Sequence, residues 1–309
     1  STPLYSSAAS DVYKRQMIEF LLLTEFLKNI LNPSNIFINF NSTTSKEALV
    51  KEEELSKLDF IKIDEKAVSA KSILIKEIKG KTLYSKNAEE KLPIASLTKI
   101  MTALVSFKKY DENTTFVVPK NFNFYEFQTD FKAGEIFKRD DLIKSMLISS
   151  SNASAFLLSY NLGEKNFVNE MNKMAEILGL KDTNFEDSSG LSSHNVSTLN
   201  DLYRLVEYII SEYPEIFSYS RLKSFVLKGN FKRVLYNTNQ LIYEYEENIL
   251  GTKTGFTDEA KQCLIMIVKF ENSPMIFVGI LGSEDRTKDG EYLLKTLANY
   301  YNNKVIKTK

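Results

Sequence analysis

The chain has 309 residues, 43% of them hydrophobic, enough to bury a sizeable core in one compound domain. Forty basic residues balance forty acidic ones, so no net basic field marks a nucleic-acid partner. The single Cys263 excludes an internal disulfide, and the sequence has neither a His/Cys/carboxylate cluster at metal-ligand spacing nor a Gly-rich phosphate loop, so no metal or other cofactor is implied.

Residues 1–16 lack any organised pattern and read as a non-native leader before Met17. Residues 17–31 form an apolar helix-like segment that Glu19, Glu25 and Lys28 interrupt, which makes a poor membrane span and a poor export signal. An interfacial helix and a degraded signal both stay open, and membrane association rests on this segment alone. Residues 41–66 are rich in Lys, Glu and Ser and read as a linker, so 17–66 precede a catalytic domain expected over 67–309. Within that domain, 70–76 and 81–86 predict a hairpin turning at Lys79-Gly80. Ile100, Met101, Leu104, Val105 and Phe107 then supply the apolar stripe of a helix that starts near Ser96. A mostly helical middle runs to Tyr213-Pro214, and strands are expected near 224–235, 249–256, 263–270 and 275–282. A last helix over 287–301 carries Leu293, Leu294, Leu297 and Tyr300 on one side. The predicted fold is α/β (α+β): one antiparallel sheet from strands at both chain ends, flanked by helices, with an inserted mostly helical lobe and a cleft between the two.

Three short motifs carry chemistry. In Ser96-x-x-Lys99 the i, i+3 spacing puts a hydroxyl and an amine one helical turn apart. A serine hydroxyl is a weak nucleophile that needs a nearby base, and burial together with a second cation, Lys253, would free some of the Lys99 amine to act as one. Near a helix start, the Ser96 backbone N–H could face a developing oxyanion. In Ser150-Ser151-Asn152, the first hydroxyl could pass a proton to a leaving amine and the Asn152 amide could hold a substrate amide, although such a loop is also ordinary turn chemistry. In Lys253-Thr254-Gly255, a cation and a hydroxyl on a strand edge suit a terminal carboxylate, and Gly255 permits close approach of a substrate backbone. A second match, Ser220-x-x-Lys223, shows how weak the first motif is alone; no apolar helix follows it.

Together and in this order, the motifs resemble those of the penicillin-recognising serine acyl-transferases, in particular the D-alanyl-D-alanine carboxypeptidases among the low-molecular-mass penicillin-binding proteins. The resemblance runs from about Ala70 to about Tyr300. It includes Lys86-Asn87-Ala88, the helix around Phe167–Ala175, Phe185–Leu191 with His194, Ser197, Thr198 and Asp201-Leu202, and Asn237-Thr238-Asn239. The sequence departs from the family where Ala153-Ser154 replace Asp-Ala and where Lys261 replaces a glycine beside Ala260. The resemblance implies a β-lactamase/DD-peptidase-like fold outside the cytoplasm and a peptidoglycan stem peptide as substrate. Ser96 would then be the nucleophile, Lys99 its base, Ser150 a proton relay, and Asn152, Lys253, Thr254 and Gly255 the substrate-binding set. The backbone N–H groups of Ser96 and Phe256 would form the oxyanion hole, and β-lactams would acylate Ser96.

Alternatives remain open at this level. A DD-endopeptidase would use the same residues on a different leaving group. A class A-like β-lactamase would need a loop glutamate in a Glu-x-x-Leu-Asn context; Glu186 stands in the right stretch, but Asp187-Ser188-Ser189-Gly190 follows it. A non-catalytic peptidoglycan-binding protein would have no need of the Ser96–Lys99 pair. His194 is either an ionisable site residue or a brace for its loop.

Overall fold

The computed structural model describes residues 61–122, 129–271 and 273–307. The expected leader, the apolar segment 17–31 and nearly all of the linker lie outside the described residues.

Strands from both ends of the described chain build one five-stranded antiparallel sheet in the order β2-β1-β11-β10-β9, with β1 Ser72–Glu77, β2 Thr82–Lys86, β9 Ile249–Thr257, β10 Lys261–Val268 and β11 Ile276–Ser283. The residue pattern explains why this sheet is covered on both faces. In β10, Cys263, Ile265 and Ile267 join one apolar cluster while Leu264, Met266 and Val268 join another. β11 divides in the same way, with Phe277 and Leu281 on one side and Ile276, Val278 and Ile280 on the other. The C-terminal helix α7 (Arg286–Lys307) covers one face with Leu293, Leu294, Leu297 and Tyr301. The other face meets the inserted lobe: α1 Lys99–Lys109, α2 Arg139–Ile148, α3 Asn152–Tyr160, α4 Glu164–Ile177, α5 Leu199–Glu212 and α6 Glu215–Ser220. Gly279 lets α5 approach β11, since a Cβ there would stand 2.6 Å from Leu199 Cδ2.

Three features differ from the sequence expectation. The compact region begins before residue 67: Ile61 is buried and its N–H donates to Leu83 O at 3.2 Å. The middle of the chain holds three two-stranded ribbons as well as helices, pairing β3 (Leu92–Pro93) with β6 (Val196–Ser197), β4 (Thr115–Val117) with β5 (Ile136–Lys138), and β7 (Ser224–Lys228) with β8 (Lys232–Tyr236). The β7–β8 hairpin occupies the stretch expected as one strand of the return. Its Val226 and Val234 point to solvent opposite buried Leu227 and Arg233, so it has one covered face and cannot be a central strand of the sheet. Lys261, where the family prefers glycine, has φ +55°. The left-handed conformation costs a side-chain-bearing residue about 1–2 kcal/mol, and glycine's greater unfolded freedom returns about 0.5–1 of it. That small difference explains why Lys is tolerated there.

A buried ion pair fixes the hairpin to the lobe. The Arg233 guanidinium gives two bonds to the Glu135 carboxylate, Nη2–Oε2 at 2.7 Å and Nη1–Oε1 at 3.1 Å, with the two side chains 5% and 0% exposed. Its Nε donates to Asp130 at 2.7 Å and the Phe231 ring covers it at 3.8 Å. Removing one partner leaves the other charge buried and unpaired, so Arg233→Met should destabilise by about 3–5 kcal/mol. Pairing it with Glu135→Leu should recover most of that loss in denaturant unfolding; an unchanged single variant would show that the pair does not hold the hairpin.

Candidate active site

Ser96 lies in a 3-10 turn, Ala95–Thr98, that leads directly into α1. The turn is entered through a strained backbone: Ala95 has φ +46° without being glycine. Gly190, at φ +84°, packs so tightly against it that a Cβ would fall 2.0 Å from Ala95 O and 2.9 Å from Ser96 N. Ile100, Met101, Leu104 and Val105 are fully buried, so the stripe anticipated for this helix is what anchors it in the lobe.

The helix brings Lys99 Nζ to 2.9 Å from Ser96 Oγ. Two further oxygens sit on the same nitrogen: Asn152 Oδ1 at 2.8 Å and the Ser189 carbonyl. Lys99 is completely buried, and burial lowers its pKa to about 7 against a partial opposing pull from Asp187. Of the two causes expected, burial and the second cation Lys253, burial is the one that acts at Lys99, and the repulsion between the two lysines is felt at Lys253 instead.

Ser150 occupies the link between α2 and α3, again in the left-handed region with φ +59°. The Ser151 side chain caps α3 by accepting from Ser154 N at 3.1 Å, which sets Asn152 at the first helical residue. The departure at 153–154 is absorbed by packing. Ala153 is buried and Ser154 Oγ donates to Ser145 Oγ at 2.8 Å, tying α3 to α2.

Lys253-Thr254-Gly255 lies on β9, the edge strand of the sheet, as anticipated. Lys253 Nζ donates to Ser150 Oγ at 2.9 Å and to Thr254 O at 2.6 Å. Its pKa is held well below the usual lysine range by burial first, then by Lys99 and Arg286. A Cβ on Gly255 would stand 3.0 Å from Ile94 O, 3.1 Å from Ser96 N and 3.2 Å from Ala95 Cβ. The Gly255-Phe256 backbone thus runs beside the Ser96 backbone. The Phe256 side chain is 58% exposed.

Around β9, Arg286 has no signal of its own in the sequence, and Thr238 and Asn239 are legible only as family pattern. Arg286, the first residue of α7, donates Nη1 to Gly255 O at 3.0 Å and adds a cation beside Lys253. Thr238 Oγ1 lies 2.6 Å from Thr254 Oγ1, and Asn239 Nδ2 donates to Thr252 Oγ1 at 2.8 Å. The Asn-Thr-Asn triplet was legible as family pattern, but only the fold turns it into a clamp on β9. The decoy Ser220 is structural: it is buried, donates to Phe217 O at 3.0 Å and accepts from Thr252 N at 3.0 Å, while Lys223 pairs with Glu246. Glu186 and His194 face solvent, 55% and 77% exposed, and bond to each other at 3.0 Å. His194 therefore has the geometry of a loop brace.

A family profile described as D-alanyl-D-alanine carboxypeptidase matches residues 60–284. The D-alanyl-D-alanine endopeptidase of Pseudomonas aeruginosa is 35% identical over 224 residues, which cover 70% of this chain and 72% of that protein. The D-alanyl-D-alanine carboxypeptidase DacF of Bacillus subtilis is 32% identical over 248 residues, covering 76% of this chain and 63% of that relative's length. Among solved structures, penicillin-binding protein D2 of Listeria monocytogenes in its ampicillin-bound form is 27% identical with a TM-score of 0.65, covering 76% of this chain and 98% of that one. The profile spans the same turn, loop and edge strand that bring Ser96, Lys99, Ser150 and Lys253 together, and by it the chain belongs to the D-alanyl-D-alanine carboxypeptidase family, peptidase S11.

Proposed function

We propose that the chain is a serine-type D-Ala-D-Ala carboxypeptidase that acts on peptidoglycan stem peptides through an acyl-enzyme. The observation that carries the reading is the set of contacts on Lys99 Nζ. A neutral amine has two N–H donors and one lone pair. Asn152 Oδ1 and the Ser189 carbonyl take the two donors, which leaves the lone pair for the Ser96 hydroxyl. Lys99 then accepts the Ser96 proton as Oγ bonds to the carbonyl carbon of the penultimate D-Ala, and the Ser96 and Phe256 N–H groups hold the resulting oxyanion.

The C–N bond breaks next, and the departing amine needs a proton. Lys253 already donates to Ser150 Oγ, so the Ser150 hydroxyl hydrogen is directed elsewhere and can go to that amine. The proton that Lys99 took from Ser96 then replaces the one Ser150 gave up, so the amine leaves protonated, Lys99 is neutral again and Ser96 remains esterified. Water then cleaves the Ser96 ester. Asn152 Nδ2 aligns the donor peptide, and Lys253, Thr254 and Arg286 receive the terminal carboxylate. Its negative charge would pull the Lys253 pKa back up, so substrate binding should be accompanied by proton uptake. The substrate places the enzyme outside the cytoplasm; among the described residues no helix is long and apolar enough to cross a membrane.

One observation favours a second reading, a DD-endopeptidase. Beside Ser150 and Asn152 opens a cavity of about 640 Å³ whose far wall includes Phe131, Phe231 and Lys232. That is far more room than a single departing D-alanine fills, and the Pseudomonas relative bears the endopeptidase name.

Benzylpenicillin should add one stoichiometric mass on the peptide that carries Ser96, and Ser96→Ala should abolish it. Labelling of Ser220 would overturn the site. Only neutral Lys99 can accept the proton, so acylation should rise with pH through a midpoint of about 7 and be lost below it. A rate flat between pH 5 and 9 would rule out Lys99 as base.

With no Glu-x-x-Leu-Asn loop, the penicilloyl ester should persist for minutes; steady turnover at roughly 1–10³ per second would instead mark a β-lactamase.

A D-Ala-D-Ala peptide should be preferred over its C-terminal amide by roughly 10- to 150-fold in kcat/KM, the equivalent of one charge-assisted bond of about 1.5–3 kcal/mol. Thr254→Val should remove part of that preference. Equal cleavage of acid and amide, with crosslink fragments released in place of free D-alanine, would establish the endopeptidase.

A further inference from the structure

The carboxylate of Asp187 accepts six hydrogen bonds, all from its own loop. Oδ1 receives Ser189 N at 2.6 Å, Ser189 Oγ at 2.8 Å, Gly190 N at 2.5 Å and Leu191 N at 3.3 Å; Oδ2 receives Ser192 N and Asn195 Nδ2, each at 2.7 Å. A carboxylate offers about four lone-pair sites, so this one is saturated. Burial opposes its charge, but the donors outweigh burial and hold its pKa below the ordinary aspartate value. Two other side chains grip the preceding peptide. Glu164 accepts from Ser188 N at 2.7 Å, and Thr102 Oγ1 donates to Ser188 O at 2.6 Å.

The residues gathered in this way are the two that touch the reacting centre. The Ser189 carbonyl binds Lys99 Nζ, and Gly190 packs on the strained Ala95–Ser96 backbone. We propose that Asp187 is the positioning residue for both nucleophile and base, holding the 188–192 turn so that the Ser189 carbonyl and the Gly190 backbone fix Lys99 and Ser96 in reacting geometry. Asp187 itself touches neither substrate nor Ser96. The proposal rests on the reading of Lys99 as general base.

Asp187 also acts on Lys99 through charge. The charged groups around the base are Asp187 from the loop, which acts on Lys99, and Lys253 from β9 with Arg286 beside it, where the repulsion with Lys99 is felt. Glu186 and His194 lie on the outer side of that loop and Glu164 lies beneath Ser188. Of these, Asp187 pulls the Lys99 pKa upward. Neutralising it would remove that pull. It would also turn an N–H of the new amide against backbone N–H groups, so the Ser189 carbonyl, which favours the charged amine, would loosen. Both effects lower the Lys99 pKa while the misplaced turn slows the chemistry.

The test is the rate of Ser96 acylation by benzylpenicillin against pH. Asp187→Asn should lower the plateau by roughly 10²-fold, the scale of an ångström of misplacement, and move the midpoint below the wild-type value of about 7. Glu186→Gln, which removes a neighbouring but solvated charge, should change neither. Asn195→Ala keeps the charge and removes one donor; it should give a smaller change in the same directions and serves if Asp187→Asn does not fold. A lowered plateau with an unmoved midpoint would reduce Asp187 to loop stability, and two unchanged parameters would remove it from the site altogether. Failure of the wild type to acylate, or a pH-independent wild-type rate, would instead strike the general-base reading itself.

Discussion

A lysine amine buried completely, with oxygen atoms on three sides, is the constraint around which this molecule is arranged. Burial of a cation without a counter-charge is costly, and the cheapest response is to lose the proton. Lys99 meets that condition with Ser96 Oγ, Asn152 Oδ1 and the Ser189 carbonyl as its partners. Among the described residues no carboxylate bonds the amine directly. An Asp or Glu in place of either carbonyl would hold the proton on Lys99 and disable it as a base. Asp187 acts from one shell out, near enough to moderate the shift but bonded elsewhere.

The two-faced sheet follows from this demand. The groups around Lys99 come from a 3-10 turn, a helix start, a loop and an edge strand, separated by up to about half the chain. Only rigid elements can hold them to hydrogen-bond tolerance. β9 is buttressed by β10, which is buried on both faces, and the Asn237–Asn239 clamp anchors it from the lobe. Part of the backbone strain falls beside the proposed chemistry. Ala95 and Ser150 both adopt left-handed φ without glycine, and each adjoins or is a residue that must present a hydroxyl into the cleft.

What the sequence made legible was the part of the site encoded by local spacing. Ser96 and Lys99 are one turn apart, so their joint presentation needs no knowledge of the tertiary structure; Lys253, Thr254 and Gly255 are legible as one consecutive motif on a strand. The strands β10 and β11 were legible for a similar reason: a continuous apolar run reads as a strand buried on both faces. Arg286 was not legible. It opens a helix whose core face is what the pattern records, and only the packing of α7 carries that residue to Gly255. The β7–β8 hairpin misled because its apolar residues suggested sheet, while half of them are exposed. Asp187 was passed over as a mismatch to the lactamase loop, since its significance lies in backbone N–H groups that sequence does not display.

The site is electrostatically incomplete by design. Lys99, Lys253 and Arg286 converge, and Lys253 is driven toward neutrality by burial and by both of the others. An incoming carboxylate changes that balance by supplying the missing charge on the Lys253 side while leaving Lys99 enclosed by carbonyls. Binding would therefore push the two lysines apart in pKa, restoring the cation proposed to hold substrate and keeping neutral the amine proposed to take the Ser96 proton. A neutral C-terminus would occupy the same space without making this separation. Discrimination between acid and amide thus belongs partly to the chemical step as well as to binding, because the carboxylate helps to assign which of two neighbouring amines carries the proton.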